Sequence, residues 1–272
     1  MKCDKAARCD ADARRIADDF CARLAEASRA GASAVDALVL DPALAAALAD
    51  DSLDALAAPV LDAGLARSLP LLSDAAAAAV AAELFRNPPT ASSAPARGAL
   101  PDAARPATSA VAGALRDRAL PALGRLFSDA PLAPRGRAYT LCYAARAPSA
   151  DGGRVHRMHQ DDSDLTLAVA VGGPWRGADL TYARDAAGRP GTPEPGGRGV
   201  EAATHAHAPG RGVVHVGDAY HRVEPLASGA RGTLVLMSMR DDAAWKRRYY
   251  CLLYTSDAAD DTPCVDLGGR RI

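Results

Sequence analysis

The sequence predicts an α+β fold in which helices pack beside an antiparallel barrel or jelly roll. Alanine-rich, helix-forming segments occupy the chain up to about residue 127, and short apolar runs separated by glycine turns follow from residue 137. The second pattern is typical of antiparallel β structure. With 272 residues, 49% of them hydrophobic, the chain is long enough to bury one sizeable core.

Five helices are predicted before the strand-rich half. They span residues 5–32, 41–48, 52–67, 75–86 and 111–127. In the first of them an apolar stripe recurs at helical spacing and predicts a buried face. The stripe consists of Ile16, Phe20, Leu24 and Ala27. Helices of this composition are expected to form a layer packed on the core.

Caps and prolines delimit these helices. Asp41 before Pro42 predicts an N-terminus, because an aspartate caps the first turn and proline suits its first position. Ser73 is expected to cap the helix that follows it. Pro59 and Pro121 lack an amide hydrogen and are predicted to break or kink the helices that contain them.

Extended segments are predicted at residues 36–40, 68–72, 137–143, 164–171 and 213–239. The last segment is expected to turn at Gly217-Asp218 and again at Ser228-Gly229, since both pairs contain glycine. Residues 88–108 and 188–199 are rich in proline and small residues, which predicts irregular loops.

Composition and charge exclude several classes of function. The formal net charge of −1 lacks the basic excess of nucleic-acid binders, so no nucleic acid is expected as a partner. No apolar run reaches about 18 residues, which predicts no membrane span. Acidic residues interrupt the start of the chain, unlike a signal peptide, unless that start is incomplete. The six cysteines show no CxxC spacing, which favours a reducing, cytoplasmic location.

The candidate chemistry lies between His159 and Arg231. On a strand, residues two apart point to one face, so His159 and Asp161 are predicted to enter the barrel together. His221, on a later strand, is the candidate third ligand. Two histidines and one carboxylate leave coordination positions open, as suits Fe(II) that activates oxygen with a co-substrate. The planar guanidinium of Arg231 matches a carboxylate in two-point contact.

From about Leu69 to Arg240 the chain resembles the Fe(II)- and 2-oxoglutarate-dependent dioxygenases, nearest to their prolyl and lysyl hydroxylase-type branch. The resemblance is carried by Tyr143, His159-Gln160-Asp161, Asp164-Leu165-Thr166-Leu167, Gly177-Ala178-Asp179-Leu180-Thr181-Tyr182, His215-Val216-Gly217, His221 and Arg231. The bare HxD triplet is a weak signal, but its context on both sides makes it fairly specific. The chain has Gly177-Ala178 where the family commonly has two glycines.

The resemblance implies a double-stranded β-helix (jelly-roll) core with packed N-terminal helices. The implied cofactors and co-substrates are Fe(II), 2-oxoglutarate and O2, with ascorbate as a further candidate. The implied reaction hydroxylates a substrate C–H bond and releases succinate and CO2. The substrate is a protein side chain or a small molecule, with peptidyl proline or lysine as first candidates.

Site roles follow from the same resemblance. The implied iron ligands are His159, Asp161 and His221. Arg231 is expected to bind the distal carboxylate of 2-oxoglutarate. Thr233, two residues further on the same strand face, adds a hydroxyl to that carboxylate, and Tyr143 contacts the co-substrate.

The chain is expected to divide into three parts. Residues 1–66 form an alanine-rich helical region, residues 67–250 the dioxygenase domain, and residues 251–272 a non-native tail. Residues 251–261 resemble a translated sequencing adaptor, and residues 265–272 resemble the primer that normally follows it, in the same order and frame. The alternative is a genuine tail.

Two other functions compete with this interpretation. One is a non-catalytic jelly roll that binds a ligand or partner, with the helices as its interaction surface. The other is a zinc hydrolase with the same three ligands, although no obvious general base accompanies them. The remaining polar candidates are expected to be structural or solvated: His215 packs within a strand, His205 and His207 lie in a flexible loop, and Asp162 faces solvent.

Overall fold

The computed structural model describes residues 2–61, 64–86, 96–128, 132–144, 157–187 and 192–240. The helices are α1 (Lys2–Ala30), α2 (Ala32–Val39), α3 (Pro42–Ala49), α4 (Leu53–Leu56), α5 (Asp74–Arg86), α6 (Pro106–Ala114) and α7 (Leu120–Arg125), with a π-helical turn at Leu115–Ala119. The strands are β1 (Ala58–Pro59), β2 (Ala66–Pro70), β3 (Ala96–Leu100), β4 (Leu132–Ala144), β5 (Leu165–Gly177), β6 (Leu180–Asp185), β7 (Val200–His205), β8 (Arg211–Val216), β9 (Tyr220–Val223) and β10 (Leu226–Arg240). Residues 251–272 lie outside the described part.

The strands form two sheets. The larger has seven strands in the order β1-β2-β8-β5-β10-β4-β3, and the smaller has three in the order β7-β6-β9. Every pairing whose register is described is antiparallel. This confirms the predicted combination of helices with antiparallel sheet. None of the described helices is long and apolar enough to cross a membrane.

Alternation along β5 gives the larger sheet two buried faces. Leu165, Leu167 and Val169 belong to the apolar core that the sheet shares with the helices. Thr166 and Ala168, on the opposite face, line a cavity. The helices therefore cover one face of the sheet and leave the other for the site.

The smaller sheet covers that second face. A separate apolar cluster joins Tyr143 and Val213 of the larger sheet to Leu180, Tyr182 and Val223 of the smaller one. The cavity lies among side chains of both sheets, so the packing of the two sheets defines its walls.

Local signals placed two helix starts correctly. The Asp41 carboxylate accepts a hydrogen bond from the Ala43 amide at 2.8 Å. The Ser73 hydroxyl accepts one from the Ala76 amide at 3.1 Å. Both caps satisfy amides that the first helical turn leaves without partners.

The predicted stripe of α1 is partly wrong. Phe20 is buried, and Leu24 and Ala27 pack against the core from partly buried positions. Ile16, however, is 41% exposed. The neighbours of α1 cover only part of its predicted face.

Several segments predicted from local pattern adopt a different structure. Residues 36–40 are helical up to Val39, and only Leu40 pairs as an extended residue, with Leu72. The predicted helix 52–67 is helical only in α4, and Pro59 lies in the two-residue strand β1. This short strand pairs only with β2 and ends the sheet, a position that tolerates proline.

Long-range pairing decided two further differences. Residues 96–100, predicted as part of a loop, form β3 on the edge of the larger sheet and pair with β4. The predicted turn at Ser228-Gly229 is a pair of β-bulges, and β10 continues through it along β5. Gly229 takes a φ of 80° there, a conformation that glycine adopts without strain.

Candidate active site

The cavity between the sheets has a volume of about 370 Å³. The larger sheet contributes side chains of β4, β5, β8 and β10 to its wall, and the smaller sheet contributes side chains of β6 and β9. All six residues predicted for the site line it: His159, Asp161, His221, Arg231, Thr233 and Tyr143.

His159, Asp161 and His221 form the candidate metal centre. One ligand atom from each lies within 4.8 Å of the other two. Among the described residues, it is the one cluster of at least three His, Cys, Asp or Glu side chains that are close enough to hold a metal ion together. The structure thus brings His221 next to His159 and Asp161, although His221 is 60 positions after Asp161 in the chain.

Backbone pairing positions the three side chains. His159 and His221 form an isolated antiparallel bridge, with N–H to O distances of 3.0 and 2.9 Å. The Asp161 amide donates to the carbonyl of Gly217 at 3.0 Å. His159 and Asp161 therefore enter the cavity from a bridged segment and not from the regular strand expected from the sequence.

The two imidazoles present the same nitrogen to the centre. His159 Nδ1 lies 2.8 Å from the Arg157 carbonyl oxygen, and His221 Nδ1 lies 3.0 Å from that of Ala219. A carbonyl only accepts, so Nδ1 carries a proton in each ring, and in the neutral form of the ring Nε2 keeps a lone pair for a metal. These Nε2 atoms lie 3.8 and 3.9 Å from the Asp161 carboxylate oxygens.

Asp161 is buried and held in place. Its Oδ2 accepts a 2.7 Å hydrogen bond from the Thr166 hydroxyl, which lies 2.8 Å from the Ser163 hydroxyl. Burial raises the pKa of the Asp161 carboxyl. The imidazoles of His215 and His221 and the Thr166 hydrogen bond lower that pKa, and their combined effect is larger than that of burial. The net pKa is below the ordinary value, so the group is an ionised carboxylate at neutral pH.

His221 is suited to metal binding for a related reason. Burial, followed by the neighbouring His215, lowers the pKa of His221 to about 3. The imidazole is therefore neutral at physiological pH, and a neutral imidazole is the form that binds metal.

His215 is a site residue that the sequence reasoning missed. It is fully buried, and its Nε2 lies 3.5 Å from Asp161 Oδ2. Its ring centroid lies 4.6 Å from that of His221. The signal was present in the alternation of β8, because His215 pairs directly with Thr166 across the strands and shares its face.

Arg231 is buried, with 1% of its surface exposed. One guanidinium nitrogen donates to the Ala178 carbonyl, and the group lies over the Tyr143 ring at 4.6 Å. Arg231 Nε and the Thr233 hydroxyl are both buried without a hydrogen-bond partner among the described residues. Arg231 and Thr233, each with one unpartnered buried polar atom, therefore line the same cavity.

Of the other polar candidates, Asp162 and His205 lie outside the cavity and His207 lines it. Asp162 is exposed, and its carboxylate lies 3.5 Å from Arg137 outside the cavity. His205 is half-buried and does not line the cavity. His207, expected in a flexible loop, is instead buried and forms part of the cavity wall.

No protein-family model matches the chain, and no curated protein matches it. Solved structures do resemble it. A structure of prolyl 4-hydroxylases from Phytophthora capsici aligns with 72% of this chain and 69% of its own, at 15% identity and a TM-score of 0.50. The level of identity establishes likeness of fold alone.

Two further structures carry related descriptions. An oxidoreductase of the 2OG-Fe(II) oxygenase family from Burkholderia pseudomallei aligns over 50% of this chain, at 19% identity and a TM-score of 0.38; the chain spans 58% of its length. A prolyl-4-hydroxylase from Pseudomonas putida aligns over 73% of this chain and 100% of its own, at 16% identity and a TM-score of 0.47. These three structures are described as an oxidoreductase of the 2OG-Fe(II) oxygenase family and as prolyl 4-hydroxylases.

Proposed function

We propose that this protein is an Fe(II)- and 2-oxoglutarate-dependent dioxygenase with a double-stranded β-helix core. The observation that carries the proposal is one cavity lined both by a His-Asp-His cluster and by a buried arginine. A fold shared with a prolyl 4-hydroxylase structure supports it.

The donor set fits Fe(II). Two neutral imidazole nitrogens and one carboxylate are the ligands of the facial triad found in non-haem iron oxygenases. His159 and His221 would each bind through Nε2, and Asp161 would bind through its carboxylate. The hydrogen bonds of the two Nδ1 atoms to backbone carbonyls orient both rings before metal arrives.

The cavity also fits 2-oxoglutarate. Its volume of about 370 Å³ is within the usual range for small-molecule sites. The guanidinium of Arg231 is matched to the distal carboxylate, and the unpartnered Thr233 hydroxyl supplies a further donor. Tyr143 supports Arg231 through its ring and would border the same carboxylate.

Bound together, iron and 2-oxoglutarate supply oxidative decarboxylation to succinate and CO2, coupled to hydroxylation of a substrate C–H bond. The chain positions them: Asp161 stays ionised, His221 stays neutral, and apolar side chains such as Leu180 and Val235 keep water from the cavity. Peptidyl proline is the first candidate substrate, by the likeness to the Phytophthora structure, and peptidyl lysine the second. Ascorbate is a candidate additional cofactor.

Binding of both groups tests the proposal directly. Under nitrogen, Fe(II) with 2-oxoglutarate should raise the melting temperature of the full chain; ligand at 100 times its Kd adds about 2.7 kcal/mol of stability. Asp161→Ala should abolish this rise. Asp162→Ala, which removes the adjacent exposed carboxylate, should retain it. Absence of any rise in the unaltered chain would contradict the proposal and favour the non-catalytic binding protein.

Turnover provides the second arm of this test. In air, the chain should form succinate only when both Fe(II) and 2-oxoglutarate are present, and His159→Ala should lose that activity. Arg231→Met should still bind Fe(II) but lose the additional stabilisation by 2-oxoglutarate. Succinate formation that persists in His159→Ala would remove the assigned ligand set.

A further inference from the structure

We propose that His207 is a third protein group, besides Arg231 and Thr233, that binds the distal carboxylate of the co-substrate. These three residues are named the carboxylate pocket. The inference rests on the proposed function and adds a residue of this chain for which neither the sequence nor the likeness to other structures gave a role.

The His207 side chain is buried without a hydrogen-bond partner among the described residues. His207 is 9% exposed, and neither ring nitrogen has a hydrogen-bond partner among the described residues. A buried polar group left without a partner costs about 1–3 kcal/mol. Unsatisfied groups of this kind call for a specific explanation, and a ligand that binds them is one.

Three residues with unpartnered polar atoms lie around the same cavity. Arg231 Nε and Thr233 Oγ1 are also buried without a partner, and all three residues line the same cavity. A carboxylate offers about four lone-pair directions and can accept from several donors at once. The carboxylate pocket supplies a guanidinium N–H, a hydroxyl and an imidazole N–H.

The backbone that follows His207 is anchored to neighbouring segments at Gly210. The Gly210 amide donates to the Ala170 carbonyl at 2.9 Å, and the Gly210 carbonyl accepts from the amides of Leu71 and Leu72 at 2.9 and 3.0 Å. The His205 ring lies edge-on to that of His207 at 5.3 Å. The imidazole is thus placed before ligand arrives, which lowers the entropic cost of binding.

Charge supports an anion as the occupant. Burial, and then the nearby Arg231 guanidinium, hold the pKa of His207 well below its usual value. The ring is therefore neutral and offers one N–H donor, while Arg231 supplies the positive charge. A carboxylate would satisfy both groups, whereas a cationic ligand would be repelled by Arg231.

Two keto acids separate the roles. Under nitrogen, calorimetric titration of the Fe(II)-loaded chain would compare 2-oxoglutarate with pyruvate, which lacks the distal carboxylate. His207→Leu should weaken 2-oxoglutarate about tenfold or more, equivalent to one charged hydrogen bond, and leave pyruvate unchanged. His207→Gln, which keeps an N–H donor, should recover part of the affinity. Asp162→Ala, at an exposed residue outside the cavity, is the control and should change neither titration.

The outcomes distinguish the two proposals. An unaltered, Fe(II)-loaded chain that binds no 2-oxoglutarate would contradict the proposed function itself. Binding in the unaltered chain together with full affinity in His207→Leu would overturn the role of His207 alone. Equal weakening of both keto acids would overturn it too, because a general disturbance of the cavity would explain that result. His207→Leu removes an unpartnered polar group, so it should fold. If it does not, His207→Phe, which also lacks an N–H donor, gives the same comparison.

Discussion

Asp161 is oriented by its neighbours before any metal is bound. Its Oδ2 receives the Thr166 hydroxyl at 2.7 Å and lies 3.5 Å from His215 Nε2. Its Oδ1 is the oxygen nearer to His159, at 3.8 Å. The Thr166 hydrogen bond orients the carboxylate, and groups that orient a metal ligand in this way strongly affect metal affinity.

Thr166→Val therefore tests this orientation. Valine keeps the shape of threonine but cannot donate to Asp161, so metal affinity should fall about 10–100-fold. Titration with Mn(II), followed by calorimetry, measures the change. Thr181→Val is the matched control, because Thr181 is equally buried but bonds Glu224 in the smaller sheet. Unchanged affinity in Thr166→Val would show that the remaining contacts of Asp161 suffice.

At the level of elements, the turn between β8 and β9 positions the candidate ligand Asp161. Gly217 accepts from the Asp161 amide, and its own amide donates to the Asp164 carbonyl at 3.1 Å. A Cβ at Gly217 would lie 1.6 Å from the Ser163 carbonyl oxygen. Only glycine lets the two chain segments approach this closely.

Gly217→Ala should consequently destabilise the fold and displace Asp161. The added methyl would clash with backbone, which cannot move aside easily. The free energy of unfolding should therefore fall by at least about 1–3 kcal/mol, the usual cost of an extra methyl in a packed core. Metal binding should weaken in parallel. Urea denaturation and Mn(II) titration measure the two effects. Gly113→Ala, in α6 with no atom closer than 3.9 Å to the added Cβ, should instead be neutral or stabilising by up to about 1 kcal/mol. Similar behaviour of both variants would refute the close-approach argument.

Another element depends on a contact that no local pattern indicates. The buried Glu83 carboxylate in α5 accepts from the amides of Ala107 and Thr108 at 2.9 and 2.7 Å, and from the Thr108 hydroxyl at 2.7 Å. A residue on one helix thus caps the N-terminus of another, where negative charge is stabilising. From the sequence alone, Glu83 is a charged residue in an alanine-rich helix, and such a residue usually lies at the surface.

Across the molecule, one apolar core joins the helices to the larger sheet. Phe20 of α1 and Leu44 of α3 belong to the same cluster as Val169 of β5 and Leu234 of β10. Four histidines on the other side of that sheet have a lowered pKa, chiefly because of burial: His207, His215 and His221 are buried, and His205 is half-buried.

These buried histidines predict acid sensitivity of the metal-free protein. Their unfolded forms take up protons near pH 6.5, whereas the folded forms stay neutral to lower pH. The contribution of these histidines to the free energy of unfolding should therefore be at its maximum above about pH 6.5 and should decrease as the pH falls below that value. Thermal melts between pH 8 and pH 5, with a chelator present, measure the decrease. His207→Leu should show a smaller decrease, and a pH-independent melting temperature would contradict the burial of neutral imidazoles.

Much of the candidate site followed from local spacing. The i, i+2 relation placed His159 and Asp161 on one face, residue type and position on later strands added His221 and Arg231, and the resemblance added Thr233; all five line one cavity. Helix starts at Asp41 and Ser73 were also correct, because capping depends on residues within one turn. Segments such as β3, whose structure depends on a distant partner strand, were not predicted.

The sequence by itself predicted which residues are candidate metal ligands and that His159 and Asp161 share a face, because strand alternation acts over only a few residues. Tertiary structure alone decided that His215 faces Asp161 and that His207 joins Arg231 in the carboxylate pocket. Those placements depend on pairing between β5 and β8 and on the hydrogen bonds that anchor Gly210. Contacts between residues far apart in the chain arise from packing of the whole molecule, which no short window of sequence contains.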